Sequence, residues 1–210
     1  MRRIRILLPL LLLGLNAQAQ DRPLKIKKTH AGLFSLGMRT TVSTFNHGNW
    51  QEVGTGVGGQ YRLQFHDRVN TEWFADYLTS RIGTMGHRQD AHIGWSVMFY
   101  PLKDPSYKQF MKPYIVMGHC FDYSYVAKNS DPNYSAERWS AAIQCGIGNH
   151  FNITEQFDLT VKAQYMFHLG EHVEAHEHEG VFEIHEHGGS SLEGHLLFTL
   201  SLNYKLADLW

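Results

Sequence analysis

Cysteine is scarce in this 210-residue chain, which holds only Cys120 and Cys145. Two thiols are too few for a disulfide-dense scaffold. An excess of either charge is also missing. Nineteen Lys and Arg stand against twenty Asp and Glu, a formal net charge of −1, so nothing argues for nucleic acid or an acidic surface as partner. After the first twenty residues no segment has the length and apolarity of a membrane-crossing helix, which takes about 20 largely apolar residues. Mean hydropathy is slightly polar, −0.33. These absences fit a soluble secreted protein as well as a membrane β-barrel, and only the pattern along the chain separates the two.

The start of the chain sets the compartment. Met1 to Arg5 is a basic stub, Ile6 to Leu15 an apolar run, and Asn16-Ala17-Gln18-Ala19 carries the small-x-small pattern that signal peptidase reads. The apolar run is too short to cross a ~30 Å hydrocarbon core. A cleaved signal peptide is expected over residues 1–19, with Gln20 as the mature start and 20–31 as an N-terminal periplasmic segment. No Cys follows the small residues, so a lipid-modified start is not expected.

Beyond it the chain alternates with period two, eight times over. Leu196, Phe198, Leu200, Leu202, Tyr204 and Leu206 alternate with Leu197, Thr199, Ser201, Asn203 and Lys205. Phe157, Leu159, Val161, Ala163, Tyr165 and Phe167 alternate with Asp158, Thr160, Lys162, Gln164, Met166 and His168. A helix would put residues i and i+2 on nearly opposite sides, so the alternation predicts strands. Weaker runs of the same kind cover 34–43, 57–65, 72–79, 93–100, 115–123 and 139–148. The connections between strands also alternate in length. Residues 46–53, 84–90, 129–137 and 170–193 form longer connections, 67–69 and 154–156 are short, and 103–112 is intermediate. Outer-membrane barrels have short periplasmic turns and longer outside loops. That order predicts one domain over 32–210, an all-β, eight-stranded antiparallel up-and-down transmembrane β-barrel, with a His-rich extracellular loop at 169–194.

A barrel of alternating strands can be built either way round. A lipocalin-like soluble barrel turns its apolar face inward on a ligand, and a membrane barrel turns it to lipid. Gly48-Asn49-Trp50 matches the short G-x-W of lipocalins, but it falls in an expected loop and not at the start of the first strand. Four features favour lipid outside. The strands are near spanning length. Aromatics (Trp73, Tyr123, Tyr125, Trp139, Phe157, Tyr204) sit near strand ends, as interfacial girdles require. The last strand runs to Trp210. The polar face holds Gly, Ser and opposite charges suited to a narrow interior.

On these residues the chain resembles the small outer-membrane barrels of the OmpX, OmpA and OmpW type, and most of all the outer-membrane barrel-domain proteins of Bacteroidetes. The carrying features are Ala17-Gln18-Ala19-Gln20, Gly58-Gly59-Gln60-Tyr61-Arg62-Leu63, Asn70-Thr71-Glu72-Trp73-Phe74-Ala75-Asp76-Tyr77 and the aromatic C-terminus. The resemblance covers the mature chain as architecture and implies residence in a bacterial outer membrane, with lipid as the surrounding partner. Such families include adhesins, small-solute barrels, structural proteins and secretion accessories.

Two sets of residues invite a role. Arg39, Arg62, Glu72, Asp76, Asp122, Asp158 and Lys162 are expected to face inward, where unpaired charge is costly. They are read chiefly as a structural salt-bridged network, with a selective polar path as the functional alternative. Eight-stranded barrels that are enzymes need a His with Ser or an acid at the outer rim. The nearest pattern, His150-Phe151-Asn152, falls at the periplasmic end, so no catalytic activity is expected. The second set is the stretch from His168 to His195, which carries half of the fourteen His together with seven Glu. Two His-x-His pairs, His176/His178 and His185/His187, flank Glu179-Gly180, with His172 close by. If the segment folds as a hairpin, both pairs can converge on a divalent transition metal, for which imidazole is a good ligand. The expected function is therefore an outer-membrane barrel whose surface loop binds or senses Zn, Cu or Ni, with capture for a metal-uptake or efflux system as its expected use. The alternatives are a structural or adhesion barrel without physiological metal, and a soluble periplasmic lipocalin-like barrel.

Overall fold

The computed structural model describes residues 31–45, 53–102, 109–169, 172–178, 181–187 and 194–210. The expected signal peptide, nearly all of the expected periplasmic segment 20–31 and the G-x-W motif lie outside them. Ten strands are present: β1 (Leu33–Phe45), β2 (Val53–His66), β3 (Val69–Ile82), β4 (Gly86–Phe99), β5 (Met111–Lys128), β6 (Asp131–Asn152), β7 (Phe157–Leu169), β8 (His172–His178), β9 (Val181–His187) and β10 (Gly194–Asp208). Eight of them close an antiparallel barrel in the order β1-β10-β7-β6-β5-β4-β3-β2. Closure through β1 and β10 leaves no exposed strand edge in the barrel. β8 and β9 form a separate two-stranded sheet.

The alternation has the polarity of a membrane protein. Leu36, Met38, Val57, Ile93, Ile115, Phe121, Ile147 and Leu202 face outward and are exposed, while Arg39, Arg62, Glu72, Asp76, Asp122, Asp158 and Lys162 are buried. A continuous apolar belt of this extent has no stable place in water, which excludes the lipocalin-like alternative. Aromatic pairs bridge neighbouring strands towards their ends. Tyr61 stacks on Trp73 with centroids 5.0 Å apart, and Phe157 meets Tyr204, and Tyr123 meets Trp139, at 4.9 Å. Gly58 stands opposite Asp76, where an added Cβ would meet the carboxylate and the Ala75 carbonyl.

The strands run further than the alternation suggested. The expected loops at 84–90 and 129–137 are largely strand, and their turns shrink to Gly83–Met85 and Asn129–Ser130. Gly83 supplies the left-handed φ, +53°, that the first of these needs. β5 and β6 have 18 and 22 residues, about twice the 9–11 that cross a bilayer. They therefore stand up as a wall beyond the membrane on the side of residues 129–130. The segment at 169–194, expected as a loop able to fold as a hairpin, contains the β8–β9 hairpin.

Cys120 pairs with Ala142 and Cys145 with Met117, so the two cysteines sit on opposite faces of neighbouring strands. Both are free. Bridging them would require backbone movement. Thiol labelling of the unfolded, unreduced protein is expected to find two free thiols; finding none would contradict this register.

Candidate functional site

Opposite the short turns Asp67–Arg68 and Ile153–Gln156, the β8–β9 hairpin leans on the wall of long strands. Its register pairs His172 with His187, Glu174 with His185, His176 with Glu183 and His178 with Val181; between these come Val173–Glu186, Ala175–Ile184 and Glu177–Phe182. Directly paired residues of an antiparallel ribbon share a face, and faces alternate along each strand. One face thus carries positions 173, 175, 177, 182, 184 and 186. The other carries all five His positions together with Glu174 and Glu183.

The first face is the docked one. Val173, Ala175 and Phe182 are buried against Ile82, Val126 and Ala136, with Met85 and Ile184 packed at the margin. Ile82, Val126 and Ala136 continue the inward parity of β3, β5 and β6, so the hairpin folds over the mouth of the barrel. Glu177 anchors its tip: the carboxylate accepts from the Thr84 N–H at 2.6 Å, the Met85 N–H at 2.9 Å and the Thr84 hydroxyl at 2.9 Å. These bonds, the Thr84 backbone N–H foremost, hold its carboxyl below the usual carboxylate range. Two glycines leave the room. A Cβ on Gly83 would meet the Glu177 carboxylate, and one on Gly86 the Phe182 ring.

The second face bears the expected metal ligands, in an arrangement that differs from the sequence-based one. The pairs His176/His178 and His185/His187 do not stand opposite each other, because the register pairs His176 with Glu183, four residues from His187, and His178 with Val181, four from His185. Instead His172 and His187 share a rung, and the next rung holds Glu174 and His185. Opposed positions lie about 4.5–5.5 Å apart at Cβ and diagonal ones about 7–8 Å. The His185 imidazole lies 3.3 Å from the Glu183 carboxylate, both exposed. The side chains of His172, Glu174, His176, His178 and His187 lie outside the described residues. Among the described residues no three His, Cys, Asp or Glu converge to hold a metal ion.

Beneath the hairpin the seven expected interior charges lie buried, in three groups. At the short-turn end Arg62 donates to Asp158 at 2.5 Å. In the middle Lys162 and Arg39 both reach Glu72, Arg39 at 3.3 Å, and Arg39 also lies 3.0 Å from Asp76 and 4.4 Å above the Phe74 ring. Towards the hairpin Asp122 is a hub: His92 lies at 3.1 Å, His168 at 3.3 Å and Arg138 at 3.5 Å. Arg88 pairs with Asp90 at 2.9 Å, and the Ser124 hydroxyl donates to Asp90 at 2.6 Å. Bonds across the lumen, such as Gln60 to Asn203 at 2.6 Å, tie distant strands together. Sequence reasoning missed Arg88, Asp90, His92, Arg138 and His195. Arg88 and Asp90 had been assigned to a loop, although Arg88, Asp90, His92, Gly94 and Ser96 continue one parity of β4.

No protein-family model matches the sequence, and no curated protein matches it. Solved structures do share the fold. Neisserial surface protein A is 12% identical, with a TM-score of 0.53, covering 84% of this chain and 98% of that one. A major outer membrane protein from Thermus thermophilus is 9% identical with a TM-score of 0.54, over 82% and 99%. The N-terminal β-barrel domain of Pseudomonas aeruginosa OprF is 10% identical with a TM-score of 0.51, over 81% and 96%. With that fold, a lipid-matched exterior and an ion-paired interior, the chain is a small eight-stranded β-barrel of the bacterial outer membrane.

Proposed function

We propose that this outer-membrane barrel binds divalent transition metal at the cell surface through the histidine face of the β8–β9 hairpin, as a capture or sensing site serving a metal-uptake or efflux system. The observation that carries the reading is the register. It gathers five His positions and two Glu positions on one face of a ribbon whose other face is fastened to the barrel. Two successive rungs of that face, His172–His187 and Glu174–His185, put three His and one Glu at neighbouring positions of the ribbon. That donor set suits Zn, Cu or Ni. His176 and His178, beside Glu183, supply a second and looser grouping nearer the tip. A fastened ribbon also loses less conformational freedom on binding than a free loop does.

Calorimetric titration of the folded mature protein with Zn²⁺ in detergent tests the reading. Saturable binding at neutral pH is expected. Replacing His172, His185 and His187 by Ala together should weaken it by at least tenfold, and adding His176→Ala and His178→Ala should abolish it. Imidazoles ligate only when unprotonated, and their reference pKa is about 6.5, so affinity should fall as pH drops below that value. The heat-dependent gel mobility of the barrel should be unchanged in every variant. Absence of saturable binding by the wild type would reject the metal reading and leave the hairpin as a structural or adhesive surface.

A further inference from the structure

At the opposite mouth the interior holds two lysines that no described carboxylate meets within ion-pairing distance. Lys112, at the start of β5, and Lys205, near the end of β10, turn inward beside Arg62, and are only 8% and 6% exposed. The Lys112 ammonium sits 3.9 Å above the Tyr100 ring. The Lys205 ammonium donates to Asn152 Oδ1 at 2.9 Å. Asp158, the carboxylate of this cup, is engaged by Arg62. Among the described residues no carboxylate lies within ion-pairing distance of Lys112 or Lys205. The other buried cations, Arg39, Arg62, Arg88, Arg138 and Lys162, each have one. Between the two ammonium groups and the walls from Asn70, Tyr100 and His150 lies a small cavity of about 30 Å³.

Charged side chains withdrawn from water are almost always paired. Here two ammonium groups share one cup with a guanidinium, and the one carboxylate lining it, Asp158, is bonded to that guanidinium, while Asp67 and Glu155 act on the lysines only from beyond ion-pairing distance. A ring face and a neutral amide oxygen orient the ammonium groups but do not cancel their charge. We propose that the cup is a binding site for an oxyanion of the phosphate class, reached from the periplasmic side and held by Lys112 and Lys205. The lining carries three basic side chains against one carboxylate, which suits an anion, and lysine is a point-charge phosphate ligand that imposes no planar geometry. The cup stands at the other end of the barrel from the hairpin, and its existence does not depend on the metal reading. The phosphate has two sources, free phosphate in the periplasm or the headgroup of an inner-leaflet phospholipid.

The test uses the folded mature protein in a maltoside detergent, which carries no phosphate. Titration with inorganic phosphate should show one saturable site, and phosphate should raise the unfolding temperature above that in chloride of equal ionic strength. The variant K112M/K205M should weaken phosphate binding at least tenfold while keeping the heat-dependent gel shift. If that variant fails to fold, K112Q alone should weaken binding several-fold. Reconstitution separates the sources. Weaker phosphate binding in phosphatidylglycerol vesicles than in uncharged galactolipid vesicles assigns the site to the headgroup, and equal binding assigns it to the free anion. Either result upholds the oxyanion site. Lack of saturable binding and of any thermal shift in the wild type, or undiminished binding in a folded lysine variant, overturns it.

Discussion

Replacing Glu72 with Ala is expected to destabilise the folded barrel by about 3–5 kcal/mol, the usual consequence of stranding buried charge by removing its partner. Glu72 is 1% exposed and is shared by Lys162 and Arg39. Its loss leaves Lys162 with no ion-pair partner among the described residues, and Arg39 with Asp76 only. Denaturant unfolding in lipid vesicles measures the difference. A control separates charge from packing: Glu72→Leu combined with Lys162→Met removes both members of one pair, and should cost distinctly less than Glu72→Ala, because apolar replacement of a buried pair is often close to neutral. If Glu72→Ala unfolds within 1 kcal/mol of the wild type, the interior network is not what holds these strands together.

Phe182→Ala should release the hairpin while leaving the barrel closed. The Phe182 ring is 3% exposed within the cluster formed by Ile82, Val126, Ala136, Val173 and Ala175. Truncating a buried Phe costs about 3–5 kcal/mol. Because only the hairpin rests on this contact, the loss should appear as local opening: amide exchange over 173–185 should accelerate by about two orders of magnitude or more, at roughly tenfold per 1.4 kcal/mol. Exchange in β1 to β7 and the heat-dependent gel shift should stay as in the wild type. Gly86→Leu should act from the barrel side, since its Cβ would meet the same ring. Acid adds a check on Glu177. Its carboxyl is held below the ordinary range in the docked hairpin, so its contribution is complete above the ordinary glutamate pKa and is lost as pH falls through the lowered value. Protection of the hairpin amides, taken against the intrinsic exchange rate at each pH, should therefore fall on acidification in the wild type, and less so in Glu177→Ala. Unchanged exchange in Phe182→Ala would show that the hairpin is held by something other than this apolar face.

The hairpin shows how local and distant information divide. That His172, His176 and His178 share one parity of β8 and His185 and His187 one parity of β9 follows from spacing alone. Which His faces which does not. The alignment across Glu179-Gly180 is set by the turn, and docking of Val173, Ala175 and Phe182 selects the face turned outward. A one-residue slip would have exchanged the faces. The loops expected at 84–90 and 129–137 failed for a related reason. Their polar residues include Arg88 and Asp90, and Arg138 follows the second directly; these look like loop residues until an interior carboxylate or serine is found to meet them.

What the sequence determined by itself is the eight-stranded alternation, the face that meets lipid, the free state of Cys120 and Cys145, and the inward position of Arg39, Arg62, Glu72, Asp76, Asp122, Asp158 and Lys162. Each follows from period two, a property of neighbours along the chain. Only the tertiary structure decided that Lys162 of β7 meets Glu72 of β3, that Asp122 gathers His92, His168 and Arg138, and that Lys112 and Lys205 have no carboxylate within ion-pairing distance among the described residues. Those partners sit up to 90 residues apart in the chain. They meet across the lumen only after closure through β1 and β10 has set the stagger of every strand against the next, and stagger is a property of the closed sheet, not of any one strand.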